Sequence, residues 1–239
     1  MSDGFRPALC AALAIRARMA SSAGEADISG FWTVRRTAAF LGRRRPRGKR
    51  APPPLLVFTD PERTPDPVAL ALRLPRGAGL VYRAFGASDR LSTARALAAI
   101  ARRRGLVLLI GAEAWLAARA GAAGLHLPER LAARAPRLRR PGWILTAAAH
   151  STRAARQPGI DAFVLSAVFP SASPSAGPPL GALRFAQRVR RAAAPAYALG
   201  GVNDRTAARL RLTGAAGLAG VGLGWELASP TRDRAGVRT

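Results

Sequence analysis

Lysine is nearly absent from this 239-residue chain. Lys49 is the only one, so a basic set of 38 residues is almost entirely arginine, set against 13 acidic residues. The resulting net charge of +25 invites a nucleic-acid reading. A GC-biased coding sequence, which enriches Arg, Ala, Gly and Pro together, accounts for it without a partner. The arginines are spread over every expected helix, and only 43–50, RRRPRGKR, forms a cluster. Placed before the stiff joint Pro52–Pro54, that cluster reads as a solvated linker. Zinc-finger spacing, a basic heptad region and an aromatic-rich RNA-binding strand are all missing, so nucleic acid is not an expected partner. Cysteine is missing apart from Cys10, which excludes an internal disulfide and is compatible with a reducing compartment. The expected location is cytoplasmic. Long apolar runs are missing too: none reaches the roughly 18 residues of a membrane span, so no membrane partner is expected. The run ALCAALAI at 8–15 is short, and Arg16 and Arg18 follow it, which is the wrong order for a secretory signal.

What the chain does have is a repeating alternation of apolar strands and helical runs from Leu55 onward. Strands are expected at 55–59, 79–83, 106–110, 124–127, 144–148, 162–168, 197–199 and 218–221. Eight strands alternating with helices, within a length that suits one domain, predict an α/β fold, a closed (β/α)8 TIM barrel. The expected organisation is a basic, low-order N-terminal extension over 1–54, the barrel over 55–226 and a flexible tail over 227–239. Within the extension, Phe31, Trp32, Val34, Phe40 and Leu41 could instead form a short amphipathic helix. Met19 offers an alternative internal start.

The barrel is organised around 195–224, PAYALGGVNDRTAARLRLTGAAGLAGVGLG. Gly200 and Gly201 end the seventh strand, and Gly222 and Gly224 follow the eighth. Backbone N–H groups at two such strand ends can face an anion without a charged side chain, as at the usual phosphate site of a TIM barrel. The alternative is that these glycines only make tight turns. Asp204, just before the next helical run, is placed to cap it.

In a barrel the chemistry sits at the C-terminal strand ends. The candidates there are Asp60, Arg83, His126, Glu129, His150, Ser151, Ser171 and Ser173. His150 leads from its strand into a loop and is the general acid/base candidate, against a hydrogen-bonded surface histidine. His126, inside Gly-Leu-His-Leu, is either pocket-lining or structural. Ser171 and Ser173 alternate, so an extended loop would point both hydroxyls the same way, toward phosphate oxygens. Arg83 could supply a fixed cation. Asp60 reads as the cap of the turn before Pro61. No carboxylate pair lies on adjacent strand ends, so no Mg²⁺ site is evident.

The order of motifs resembles the thiamine phosphate synthase and thiazole tautomerase superfamily of TIM barrels. The matching segments are LVFTDP (56–61), VYR (81–83), AARAGAAGLHLPE (117–129), AAAHS (147–151), DAFVLSAVFPSASPS (161–175), PLG (179–181), ALGGVN (198–203) and GAAGLAGVG (214–222). The resemblance implies a synthase, a transferase of thiamine biosynthesis. It would couple hydroxymethylpyrimidine diphosphate to a thiazole phosphate with Mg²⁺ and release diphosphate. The implied phosphate site uses backbone N–H groups at Gly200, Gly201 and Val202 and again at Val221, Gly222 and Leu223, with the hydroxyls of Ser171 and Ser173. His150 and Arg83 become the catalytic candidates, and Tyr82 and His126 the pocket-lining ones. The pyrimidine-diphosphate half departs from the family pattern. Its Gln-x-Arg-x-Lys reads Val81-Tyr82-Arg83-Ala84-Phe85, and its Asn-Asp pair reads Gly111-Ala112. Its acidic position after the strand-four histidine falls near Arg130 and Leu131, where Glu129 could substitute if the loop shifts, and its loop lysine is Pro174. Mg²⁺ is therefore implied by the resemblance while its usual ligands are missing. The alternatives are a single-substrate isomerase of the tautomerase type using His150, or an inactive phosphate-binding or regulatory barrel.

Overall fold

The computed structural model describes residues 32–44, 51–171, 173, 176–221 and 223. Its centre is a closed parallel barrel in which each strand pairs with the next and β8 pairs with β1. The strands are β1 (Leu55–Phe58), β2 (Gly79–Tyr82), β3 (Val107–Gly111), β4 (Gly124–Leu127), β5 (Ile144–Ala149), β6 (Ala162–Leu165), β7 (Ala196–Ala198) and β8 (Gly217–Val221). They are short and nearly wholly buried, as strands covered on both faces must be. Alternate side chains fill the interior: Leu56, Phe58, Val81, Leu109, Val164, Tyr197 and Ala219 form one cluster. Tyr197 is fully buried there, and its hydroxyl donates to the Pro52 carbonyl at 2.7 Å. The opposite faces pack against the helices in a second, larger cluster.

The helices are α1 (Trp32–Arg44), α2 (Pro67–Arg73), α3 (Arg90–Arg104), α4 (Ala114–Ala120), α5 (Ala135–Leu138) and α6 (Gly181–Arg191). Asp66 caps α2 by accepting the N–H groups of Val68 and Ala69, both at 2.9 Å, with Pro67 at the first helical position. Glycines in the left-handed region close α3 and α4 at Gly105 and Gly121. Between β4 and β5 the chain forms a 3₁₀ stretch, Glu129–Arg134, leading into α5. Strand β6 is shorter than expected because the N–H groups of Val168 and Phe169 leave the ladder and donate to the carbonyls of Leu199 and Gly200, at 2.9 and 3.0 Å.

Of the two readings of the N-terminal stretch, the structure shows the amphipathic helix, α1. The low-order extension expected over 1–54 contains a helix that belongs to the barrel. Val34, Thr37, Ala38 and Leu41 recur at i, i+3, i+4 and i+7 and are all buried. They pack on β8, β1 and the 3₁₀ turn Ala207–Leu210, where the barrel closes. Asp204 does not cap the run that follows it, as its position suggests. Its carboxylate accepts the Val34 N–H at 3.0 Å and so caps the first turn of α1. The remainder of the extension (1–31), the basic residues 45–50, Gly222, Gly224 and the tail lie outside the described residues. No helix among the described residues is long and apolar enough to cross a membrane.

Candidate active site at the barrel mouth

The strand ends bring the sequence candidates to one rim, and the structure sorts them by what they touch. After β7, Gly200 has φ +94° and Gly201 φ +62°. Both are also pressed against the loop after β6. A Cβ on Gly200 would stand 2.9 Å from the Ala167 Cα, and one on Gly201 would stand 2.7 Å from the Phe169 Cβ. Glycine is required here by backbone contact as well as by φ. The turn is further tied by Thr206, whose hydroxyl donates to the Gly201 carbonyl at 2.7 Å. Among the described residues, none accepts a hydrogen bond from the N–H of Gly200, Gly201 or Val202. Consecutive N–H groups left without acceptors at a strand end suit an anion. Leu223 folds back over Gly220 in β8.

In the loop after β6, Ser171 and Ser173 are described, and Ala172, Pro174 and Ser175 lie outside the described residues. The Ser173 N–H donates to the Ser171 hydroxyl at 3.3 Å, and the Ala176 N–H to the Ser173 carbonyl at 2.9 Å. The Ser171 hydroxyl is thus engaged by the backbone two residues on.

His150 follows β5 directly. The Oε2 atom of Glu129 accepts the His150 backbone N–H at 2.6 Å and its ring Nδ1 at 2.7 Å. Arg188 on α6 donates to the His150 carbonyl at 2.6 Å. The side chain remains 55% exposed, with its ring held by one hydrogen bond and its backbone by two. Because an ionised carboxylate only accepts, the neutral ring in this arrangement carries its proton on Nδ1 and has its lone pair on Nε2. Glu129, considered from the sequence as a substitute for the family's acidic position after the strand-four histidine, is hydrogen-bonded to a histidine 21 residues away.

His126 lies deeper. It is 8% exposed, its Nδ1 is 3.0 Å from the Thr146 hydroxyl, and its ring meets Phe58 edge-on at 4.8 Å. Burial, with the charge of Arg83 adding to it, pushes His126 down to about 3, so it is neutral in the folded protein. Tyr82, expected to line the pocket, faces the other way. It belongs to the cluster between barrel and helices, and Thr93 of α3 is its hydrogen-bond partner. Burial raises its hydroxyl above the ordinary tyrosine value. The period-two rule explains the reversal: Val81 and Arg83 point inward, so Tyr82 points out.

Arg83 stands at the mouth as expected, but several of its donors serve the scaffold. Its Nε donates to the Thr59 carbonyl at 2.7 Å and its Nη2 to Asp60 at 3.0 Å. The same aspartate caps its own turn through the N–H groups of Glu62 and Arg63. Burial lowers the Arg83 guanidinium from its usual value, and Asp60 opposes that. Phe58 and Phe85 flank the guanidinium at 5.9 and 5.0 Å. The residues present do not fit the Mg²⁺ implied by resemblance. Asp60 is held by Arg83, Glu129 by His150, and 111–112 offers no carboxylate. No group of three or more His, Cys, Asp or Glu side chains able to hold a metal ion occurs among the described residues.

Sequence reasoning missed three features: the Glu129–His150 bond, the role of Arg188 and the exposure of Phe85. The first joins two residues both marked as candidates, and no local pattern links them. Phe85 carried a signal, since it stands where the family pattern has a lysine.

The family profile described as thiamine monophosphate synthase matches residues 64–223. Thiamine phosphate pyrophosphorylase from Pyrococcus furiosus is similar in structure, with a TM-score of 0.61 and 22% identity over 72% of this chain and 86% of that one. An HpcH/HpaI aldolase/citrate lyase family protein from Burkholderia cenocepacia is similar with a TM-score of 0.53 and 19% identity, over 80% of this chain and 95% of that one. At these identities the structural likeness speaks for the barrel alone. No curated protein matches the chain. The profile covers well over half of the sequence and spans β2 to β8, so the chain belongs to the thiamine monophosphate synthase family.

Proposed function

We propose that this protein is a single-substrate isomerase of the thiazole tautomerase type. It binds a phosphorylated thiazole-like heterocycle with the phosphate on the N–H groups of Gly200, Gly201 and Val202. His150 then moves a proton on the ring. The observation that carries this reading is the pair of hydrogen bonds that Glu129 Oε2 accepts from the backbone N–H and the ring Nδ1 of His150. A carboxylate on Nδ1 leaves Nε2 as the base and stabilises the imidazolium formed when a proton is taken. Returning that proton to another ring position completes an isomerisation with no change in composition. The partners are small phosphorylated molecules, and neither nucleic acid nor membrane enters the reading. The single cysteine agrees with the cytoplasm as the place of action. The test is exchange of substrate hydrogen with deuterated water. His150→Ala should abolish exchange and turnover while phosphate-ligand binding persists. Retained turnover in that variant would exclude the proposal.

A second reading, the transferase reaction of thiamine phosphate synthase, is favoured by Arg83, which keeps the family's strand-two arginine at the mouth. It is checked by incubating the protein with hydroxymethylpyrimidine diphosphate, thiazole phosphate and Mg²⁺. Absence of thiamine phosphate and diphosphate, under conditions where a known synthase works, removes it.

A further inference from the structure

The charges of the barrel are sorted along its axis. Among the described residues, each acid follows a strand end or opens the helical turn after it, and so stands at the mouth, except Asp161. Asp161 precedes β6 and already has partners. It pairs with Arg139 at 3.0 Å and accepts the Leu145 N–H at 2.7 Å. The helices run back from the mouth, so their last turns surround the opposite end, the base of the barrel. Helices α2 to α6 all carry arginine in the last turn. Helix α3 carries three there, Arg102, Arg103 and Arg104, and all are exposed.

Coding bias accounts for the number of arginines and not for this sorting. The helix dipole accounts for part of it: a helix C-terminus carries about half a negative charge, which one cation offsets. The three arginines of α3 exceed that, as do Arg190 and Arg191, both exposed at the end of α6. The surplus makes the base a positively charged face. Helix α3 lies between β2 and β3 and α6 between β6 and β7, on opposite sides of the ring, so the charge spans the whole base. The exposed aromatics among the described residues, Trp32, Phe85 and Trp115, lie toward the mouth. The large apolar side chains exposed toward the base are two leucines on separate elements, Leu72 and Leu212.

We propose that the base of the barrel docks the phosphate backbone of a nucleic-acid duplex without regard to base sequence. The chain lacks the motifs that read base edges, which leaves phosphate contact as the mode. Arginine suits it, because its planar fork gives a phosphate two hydrogen bonds and keeps its charge. A duplex carries one negative charge per about 1.7 Å of axis, so arginines on opposite sides of the base each meet a phosphate along it. A single strand calls for exposed aromatic rings to stack its bases, and a membrane for a set of apolar or aromatic side chains to insert. The base offers no exposed aromatic ring among the described residues, and two separate leucines do not make such a set. This goes beyond the small-molecule reading of the mouth and does not rest on it.

The experiment is fluorescence anisotropy of the full-length protein with a labelled duplex of about 20 base pairs, over about 50–300 mM NaCl. The logarithm of the association constant is expected to fall with the logarithm of salt concentration with a slope of about −4 to −6. Arg103→Gln together with Arg190→Gln makes that slope shallower by about two and weakens binding at least about 10-fold. Arg95→Gln together with Arg184→Gln removes the same charge from the same two helices nearer the mouth, and leaves slope and affinity close to those of the wild type. All four side chains are exposed, and equal Tm values for the two double variants keep folding out of the comparison. Equal losses in the two variants mean that net charge alone drives binding, and overturn the base as the docking face. No binding at low salt, or a base variant that binds like the wild type, overturns it as well. So does tighter binding to a single strand of the same length, or to vesicles of anionic phospholipid, than to the duplex.

Discussion

The carboxylate of Asp204 accepts the backbone N–H of Val34 at 3.0 Å, across a sequence separation of 170 residues. The acceptor sits three residues past Gly201, after β7. The donor is in the first turn of α1. Asp204→Ala removes the cap of α1 and should cost about 1 kcal/mol, a fall in Tm of roughly 2–4 °C. Hydrogen exchange should rise over 32–36 with little change in β1. Unaltered exchange in that helix would show that α1 docks without this bond.

His126 makes stability fall in acid. Its folded value of about 3 lies below the ordinary 6.5, so the unfolded chain takes up a proton first as pH drops. The group's contribution is whole above about pH 6.5 and is lost progressively down to about pH 3. Between pH 7 and 4.5 that amounts to about 2 kcal/mol. His126→Gln keeps a neutral polar side chain near Thr146, and its unfolding free energy should depend less on pH by about that amount. Parallel pH profiles for the two proteins would contradict the assignment.

At position 85 the usual stability order of alanine and glycine should reverse. Alanine retains the left-handed strain that glycine avoids, so Phe85→Gly is expected to be more stable than Phe85→Ala by about 1 kcal/mol. Urea denaturation of the two variants measures this directly. A more stable alanine variant would mean that the left-handed backbone does not persist in solution.

The Glu129 carboxylate fixes the tautomer of His150. Long-range ¹H–¹⁵N NMR of the neutral ring should show Nδ1 protonated and Nε2 bare in the wild type. Glu129→Ala should mix the two tautomers and lower any proton-transfer rate by about 10²-fold, with KM little changed. Glu129→Gln, which still accepts a hydrogen bond, should recover part of the loss. A wild-type ring protonated on Nε2 would refute the arrangement.

The barrel and its rim were legible in the chain because period-two alternation and strand-ending turns are local properties. Each of the eight expected strands is present, with ends shifted where a ladder bond went elsewhere, as at Val168. The same alternation, applied strictly from Arg83, would have turned Tyr82 outward. Residues 32–44 were ambiguous because an apolar stripe of four residues shows amphipathicity and not the surface that receives it.

What the sequence determined by itself is therefore the (β/α)8 fold, the family and the position of Gly200, Gly201, Arg83 and His150 at strand ends. These follow from spacing along the chain. Only the tertiary structure decided their partners. It gave Glu129 to His150, Asp60 to Arg83 and Asp204 to Val34, because carboxylates at a barrel rim choose among neighbours brought close by strand order. Strand order sets β1 beside β2 and β4 beside β5, and α1 docks on β8, β1 and the 3₁₀ turn Ala207–Leu210; short-range hydrogen bonds then assign each acid a role that no local pattern encodes.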